Sequence, residues 1–209
     1  MSNYQTPTTQ TYEGLERAFW HFNDRLFDNR LSEVMITLQR KRGTHGYYWP
    51  EQFLHRDDED RMPEIALNPN TMGRTVREVL STLVHEMVHH WQHQYGAPGK
   101  GGHHNKEWAA EMDRVGLEPT STGAPGGERT GRKVTHMITE GGMFDTACAE
   151  LLDTGFDLPW HALQPEAKPK KKDPSKVKHS CPECSQNVWG KIGIRVICAD
   201  CDMEMEAEQ

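Results

Sequence analysis

No apolar run in this sequence approaches the ~18 residues that a membrane span requires, and the mean hydropathy is −0.82. No apolar stretch follows Met1 either. Met1 to Thr11 is polar, so a secretory leader is not expected and a cytoplasmic location is. An excess of positive charge is also lacking: 24 Lys and Arg stand against 31 Asp and Glu, a net charge of −7. That balance excludes a chain that binds polyanions over its whole surface. Cysteine is nearly absent from the first 180 residues, where Cys148 stands alone. The other four, Cys181, Cys184, Cys198 and Cys201, fall within 21 residues. Clustered cysteines in a chain without a leader point to a metal before disulfides.

The 209 residues suffice for one ordinary domain and a small appendage. Residues 1–11 read as a flexible N-terminus. Leu15, Phe19, Phe22, Leu26 and Phe27 then recur at helical spacing. Val34 to Leu38, Tyr47 to Trp49 (before Pro50) and Glu64 to Asn68 (closed by Pro69) are short, β-rich runs. The spacing predicts a long helix over Thr75 to Tyr95. Thr75 and Glu78 form a capping box there, and Gly96 and Pro98 stop the helix. A second helix is expected from about His104 to Val115, then a glycine-rich loop to Gly131, a strand near Val134 to Ile138 and a helix over Met143 to Leu152. This order implies an α+β domain over residues 12–162. Residues 163–178 have the Lys/Pro-rich composition of a linker, and residues 179–209 form a cysteine unit.

His85-Glu86-Met87-Val88-His89 fits H-E-x-x-H. At ~100° per residue the two histidines project within ~40° of each other, one turn apart, so both imidazoles can reach one ion. The same arithmetic sets them roughly opposite the apolar stripe centred on Leu80 and Met87. Glu86 flanks the pair, placed to hold a water as general base. The competing reading, a chance match on a solvated His-rich face, is weakened by the motif's place in the middle of an amphipathic helix. Two histidines leave a catalytic zinc one protein ligand short. Gln92 and Tyr95 stand where an H-x-x-G-x-x-H continuation needs Gly and His, and His93 lies one further turn along the helix. His103, His104, Glu107 and Glu111 remain, and spacing does not choose among them.

His85 to Gln92, HEMVHHWQ, followed by Gly102 to Trp108, GHHNKEW, resembles the SprT-like family of zinc metalloproteases. The stretches FNDRLFDNRLSEVMITL and THGYYWP resemble the family's N-terminal helix and strand pair. The resemblance covers roughly residues 12–117 and resumes at the C-terminal cysteines. It implies a small zincin-type fold, with the H-E-x-x-H helix on a short sheet. It implies zinc on His85, His89 and His104, with Glu86 as general base and Glu107 and Trp108 completing the G-H-x-x-E-[FW] pattern, where His103 replaces Gly. His90 and His93 would then lie at the surface or beside the ligands. Residues 121–162 carry no mapped motif, which leaves Arg132 and His136 as unassigned cleft candidates.

The C-terminal pairs Cys181-x₂-Cys184 and Cys198-x₂-Cys201 are 13 residues apart. Each is a knuckle that can put two thiolates on one tetrahedral ion, so a zinc ribbon with a second, structural zinc is expected. Val188 to Gly190 and Arg195 to Ile197 would be its strands. Two disulfides or redox-active pairs are the alternative. Cys148 reads as a small apolar core residue.

Substrate class rests on the resemblance, which implies proteins associated with or crosslinked to DNA, in a response to DNA damage. Internal support is a basic tract, Lys168, Lys170, Lys171 and Lys172, beside Trp189, Lys191 and Arg195: lysines can neutralise phosphates and an exposed indole can stack on a base. Bound to DNA, the protein would be nucleoid-associated. The alternatives are a solvated linker with Trp189 in the ribbon's own core, an adaptor with an inactive zincin domain, and a peptidase that needs no DNA. An extended substrate could add to an exposed strand edge, for which Glu64 to Leu67 is the candidate.

Overall fold

The computed structural model describes residues 6–57, 59–163 and 176–208. By contact the chain divides into two compact units, Met1–Gln164 and Pro165–Gln209.

The first unit opens with helix α1, Pro7–Phe27. It starts well before the apolar stripe. Thr6 caps it, its hydroxyl accepting from the Thr9 N–H, and Pro7 occupies the first turn, where a missing N–H costs nothing. Residues 7–11 are therefore helical, against the expectation of a loose N-terminus to residue 11. Leu15, Ala18, Phe19, Phe22, Leu26 and Phe27 are buried.

Strands β1 (Met35–Leu38), β2 (Gly46–Leu54) and β3 (Arg61–Leu67) form a mixed sheet in the order β1-β3-β2. β3 runs parallel to β1 and antiparallel to β2. β3 is the middle strand, so Glu64 to Leu67 is no free edge; the edges are β1 and β2. β2 also runs through Pro50 instead of stopping there. The ladder breaks between Trp49 and Phe53, with Glu51 at φ +57°. An edge strand with such a bulge tolerates a proline that donates no ladder hydrogen bond.

α2, Val76–Tyr95, has the expected capping box between Thr75 and Glu78. The one-sided stripe is an underestimate, because every residue from Val79 to Val88 is buried. Gly96 ends the helix in extended backbone (φ −127°, ψ −157°), not the left-handed region. A Cβ there would come 2.4 Å from the Glu107 carboxylate, which would have to shift to make room. After the loop come α3 (Lys106–Arg114), β4 (Leu117–Thr120), β5 (Thr135–Ile138) and α4 (Met143–Asp153). β4, which pairs antiparallel with β5, falls between the expected helix and the glycine-rich loop, where the sequence reading places no strand. Cys148 is fully buried in the core with Phe144 and Leu151, and burial raises its thiol to about 11.

The second unit pairs its strands differently from expectation. β7 (Asn187–Gly190) pairs with β6 (Val177–Ser180), which also pairs with β10 (Glu206–Ala207). β8 (Ile197–Cys198) pairs with β9 (Met203–Glu204). Each cysteine knuckle thus lies at the turn of its own short hairpin. Among the described residues no helix is long and apolar enough to cross a membrane.

Candidate metal centre

α2 supplies His85, Glu86 and His89 from its middle two turns. His104 comes from outside any helix. It lies in an extended segment just before Asn105, the N-cap of α3, and pairs with Gly131: each donates its N–H to the other's carbonyl, at 2.8 and 2.9 Å. The ligand-capable nitrogens of His85, His89 and His104 all lie within 4.8 Å of one another. His103, by contrast, turns back on the His104 carbonyl, Glu107 accepts from Gln92 and the Ala97 N–H, and Glu111 pairs with Arg114.

The donor chemistry fits a metal. His104 Nδ1 lies 2.9 Å from the Gly131 carbonyl, which can only accept, so the ring proton is on Nδ1 and Nε2 carries a lone pair. That Nε2 faces His89 Nε2 at 3.1 Å. Two imidazoles at 2.0–2.1 Å from one tetrahedral ion would stand about 3.3 Å apart. Burial holds His85 well below the ordinary histidine value and His89 at about 3, with neighbouring imidazoles adding to the effect. All three rings are neutral at pH 7, the state a ligand needs.

Trp108 is the floor of this group. Fully buried, it has ring centroids 5.0, 5.3 and 4.2 Å from His85, His89 and His104. Rotation of any of the three imidazoles is opposed by the indole. Its position four residues after His104 was legible, but not its role.

Glu86 is buried, and desolvation pushes its carboxyl up to about 8 against the opposing influence of Lys41 and a hydrogen bond from the Tyr48 N–H. The carboxylate and the edge strand β2 therefore touch. Gly46 permits this approach: a Cβ there would lie 2.9 Å from the Ala66 carbonyl and 3.1 Å from both Glu86 Oε1 and Thr82 Cγ2. Gly46→Ala should destabilise the domain by about 1–3 kcal/mol as the added methyl presses on the Ala66 carbonyl and Glu86; unchanged thermal unfolding would contradict this contact.

His90 is not at the surface. It is buried, held by Ser32 and the Tyr48 hydroxyl, and ties α2 to β2. His93 is exposed beside Tyr48. His136, an unassigned candidate from sequence, lies against His85 with 3.1 Å between their Nδ1 atoms.

In the second unit the four cysteine sulfurs lie within 4.8 Å of one another, all as free thiols. Cys184 and Cys198 Sγ are 3.7 Å apart. That is too long for a disulfide and close to the ~3.8 Å edge of a tetrahedron with 2.3 Å zinc–sulfur bonds. The Cys184 amide holds the Cys181 thiol below its ordinary value. Trp189 is 63% exposed and so is not the core of this unit. Arg195 pairs with Glu204 at 3.0 Å. Lys168, Lys170, Lys171 and Lys172 lie outside the described residues.

A stretch of 59 residues, 28% of this chain and 80% of the relative, is 42% identical to a protein of Salmonella typhimurium named only as an uncharacterized protein in the mucB 3′ region. No solved structure matches the chain. The profile of the SprT-like family matches residues 15–126, more than half of the chain. The match takes in His85, Glu86, His89, His104 and Trp108. The chain belongs to the SprT-like family.

Proposed function

We propose that this protein is a zinc-dependent peptidase of zincin type, with His85, His89 and His104 holding the catalytic ion and Glu86 as general base. The observation that carries this reading is the convergence of three imidazoles, two of them from the H-E-x-x-H turn whose own glutamate, Glu86, is buried. Zinc bound there supplies Lewis acidity toward a carbonyl oxygen and toward water. Glu86 takes the proton of the attacking water and delivers it to the leaving amine. Its ionisation is favoured by Lys41, by the Tyr48 N–H and by any cation on the three imidazoles. An extended substrate adds to the free edge of β2, the strand in contact with Glu86, in place of the Glu64–Leu67 segment. The four cysteines hold a structural zinc that folds a ribbon.

The substrate we propose is protein associated with or crosslinked to DNA, with the second unit as the nucleic-acid contact. Support is the exposed Trp189 and Lys191; the pairing of Arg195 with Glu204 leaves that cation less available. The test is cleavage of a DNA-binding protein by the purified, zinc-loaded chain, with and without single-stranded DNA, beside His104→Ala. Cleavage only with DNA, and lost in His104→Ala along with about one zinc per chain, is the expected result. Cleavage indifferent to DNA would make the protein a general peptidase. DNA binding without cleavage would make it an adaptor. A DNA-dependent enzyme would be found with the nucleoid in the cytoplasm.

A further inference from the structure

Beyond the three imidazoles, a buried hydrogen-bond relay runs away from His85 and ends on a backbone carbonyl. His85 Nδ1 lies 3.1 Å from His136 Nδ1, His136 Nε2 lies 2.9 Å from Ser81 Oγ, and Ser81 Oγ lies 3.0 Å from the Glu78 carbonyl oxygen. The geometry points to His136 as a positioning residue for the metal ligand His85, fixing its tautomer through this relay. The inference rests on the metal reading of His85, His89 and His104.

The direction of every proton follows from the last member. A carbonyl oxygen only accepts, so the single Ser81 hydroxyl proton is committed to Glu78. Ser81 Oγ must then accept, which puts the His136 proton on Nε2. In a neutral imidazole with that proton placed, Nδ1 carries a lone pair and accepts from the His85 Nδ1–H. His85 is left with a lone pair on Nε2, the nitrogen a metal would take.

His104 reaches the same tautomer by a shorter route, through the Gly131 carbonyl. Ligating histidines commonly donate their second ring N–H to such a partner, and loss of it typically weakens metal binding 10–100-fold. His136 is not itself a member of the convergent group, which among the described residues comprises His85, His89 and His104. Both supporting partners thus come from the chain after α3: Gly131, in the loop before β5, orients one ligand, and His136 on β5 orients another.

The full chain carries two candidate metal sites, so the experiment counts zinc and titrates it with a chromophoric chelator. It compares wild type with His136→Leu, His136→Gln and Ser81→Ala. Wild type should release two zinc ions per chain at distinct chelator strengths. His136→Leu should weaken one of them 10–100-fold and leave the four-cysteine ion unchanged. Gln offers an amide oxygen to His85 and an N–H₂ to Ser81, so His136→Gln should restore binding to within a few-fold of wild type. Ser81→Ala leaves both imidazoles and removes only the anchor, and should weaken the same ion a few-fold. It also keeps the test open should His136→Leu fail to fold. Long-range ¹⁵N–¹H spectra of the zinc-loaded wild type should show His85 protonated on Nδ1 and His136 on Nε2.

Wild-type affinity in both His136→Leu and Ser81→Ala overturns the relay. So does a His136→Gln protein as weak as His136→Leu, which would assign His136 to packing or to direct ligation. A wild-type chain that binds only the four-cysteine zinc overturns the metal reading itself, and the relay with it.

Discussion

Glu86→Gln is expected to keep both zinc ions and lose peptide hydrolysis by about 10²–10⁴-fold, the usual worth of a positioned general base. Glutamine matches the volume of the buried side chain and can still accept from the Tyr48 N–H, but it cannot take a proton from water. The same substitution should stabilise the metal-free protein at high pH. In the folded, metal-free state burial raises Glu86 to about 8, from 4.5 when unfolded. The folded state therefore holds an extra proton between those values. Wild-type stability declines as pH rises through that window, whereas Glu86→Gln has nothing to ionise. Below about pH 4.5 the two should be nearly equal. Above about pH 8 the variant should be more stable by at most about 4–5 kcal/mol. Urea unfolding of the chelated proteins across pH 4–9 measures the difference directly, with the contribution of the second unit common to both. Full activity in Glu86→Gln would remove Glu86 from the chemistry, and a pH-independent stability difference would mean that its carboxyl is not desolvated.

Cys198→Ser should unfold the second unit and leave the first intact. Its apolar core is small: among the described residues Cys181, Cys198 and Met205 are its buried members, with Val196 and Cys201 packed against them. Val188, Trp189, Ile192, Ile194 and Ile197 are exposed. So little buried apolar surface cannot offset the conformational entropy of more than thirty residues, whereas a structural zinc in a unit of this size contributes about 10–16 kcal/mol. Amide resonances of residues 177–207 should collapse to random-coil positions in Cys198→Ser, with one zinc lost per chain. In the wild type a strong chelator should do the same and a reductant should not. Collapse on reduction would return the cysteines to disulfides.

The relation of sequence to structure differs from element to element. α2 was legible because local signals agree: a capping box, helical periodicity and Pro98 beyond its end all concern residues within a few positions of one another. The start of α1 was missed because Thr6 and Pro7 are a cap signal without an apolar stripe behind them. The start of β2 near Tyr47 was legible, but not its continuation past Pro50, which is possible because β2 lies at an edge with a bulge, where a proline's missing N–H is not needed. Likewise, nothing local in Glu64 to Leu67 distinguishes a central strand from an edge, since strand order is a property of the whole sheet.

At the site, the sequence by itself determined the reactive inventory: an H-E-x-x-H helix and four cysteines in two knuckles, because ligands one turn or three residues apart meet by local geometry alone. It left His103, His104, Glu107 and Glu111 equivalent by spacing. The family resemblance singled out His104, and the tertiary structure shows what sets it apart physically: its pairing with Gly131 aims one ring at His89, while His103 and Glu107 are spent on backbone and amide partners. Tertiary packing alone also set Trp108 beneath three imidazoles, buried Glu86 against Gly46 and Tyr48, and brought His136 to His85 across 51 positions of chain. Burial and long-range hydrogen bonding are properties of the packed chain, and they are what turn a ligand motif into a site with assigned protons.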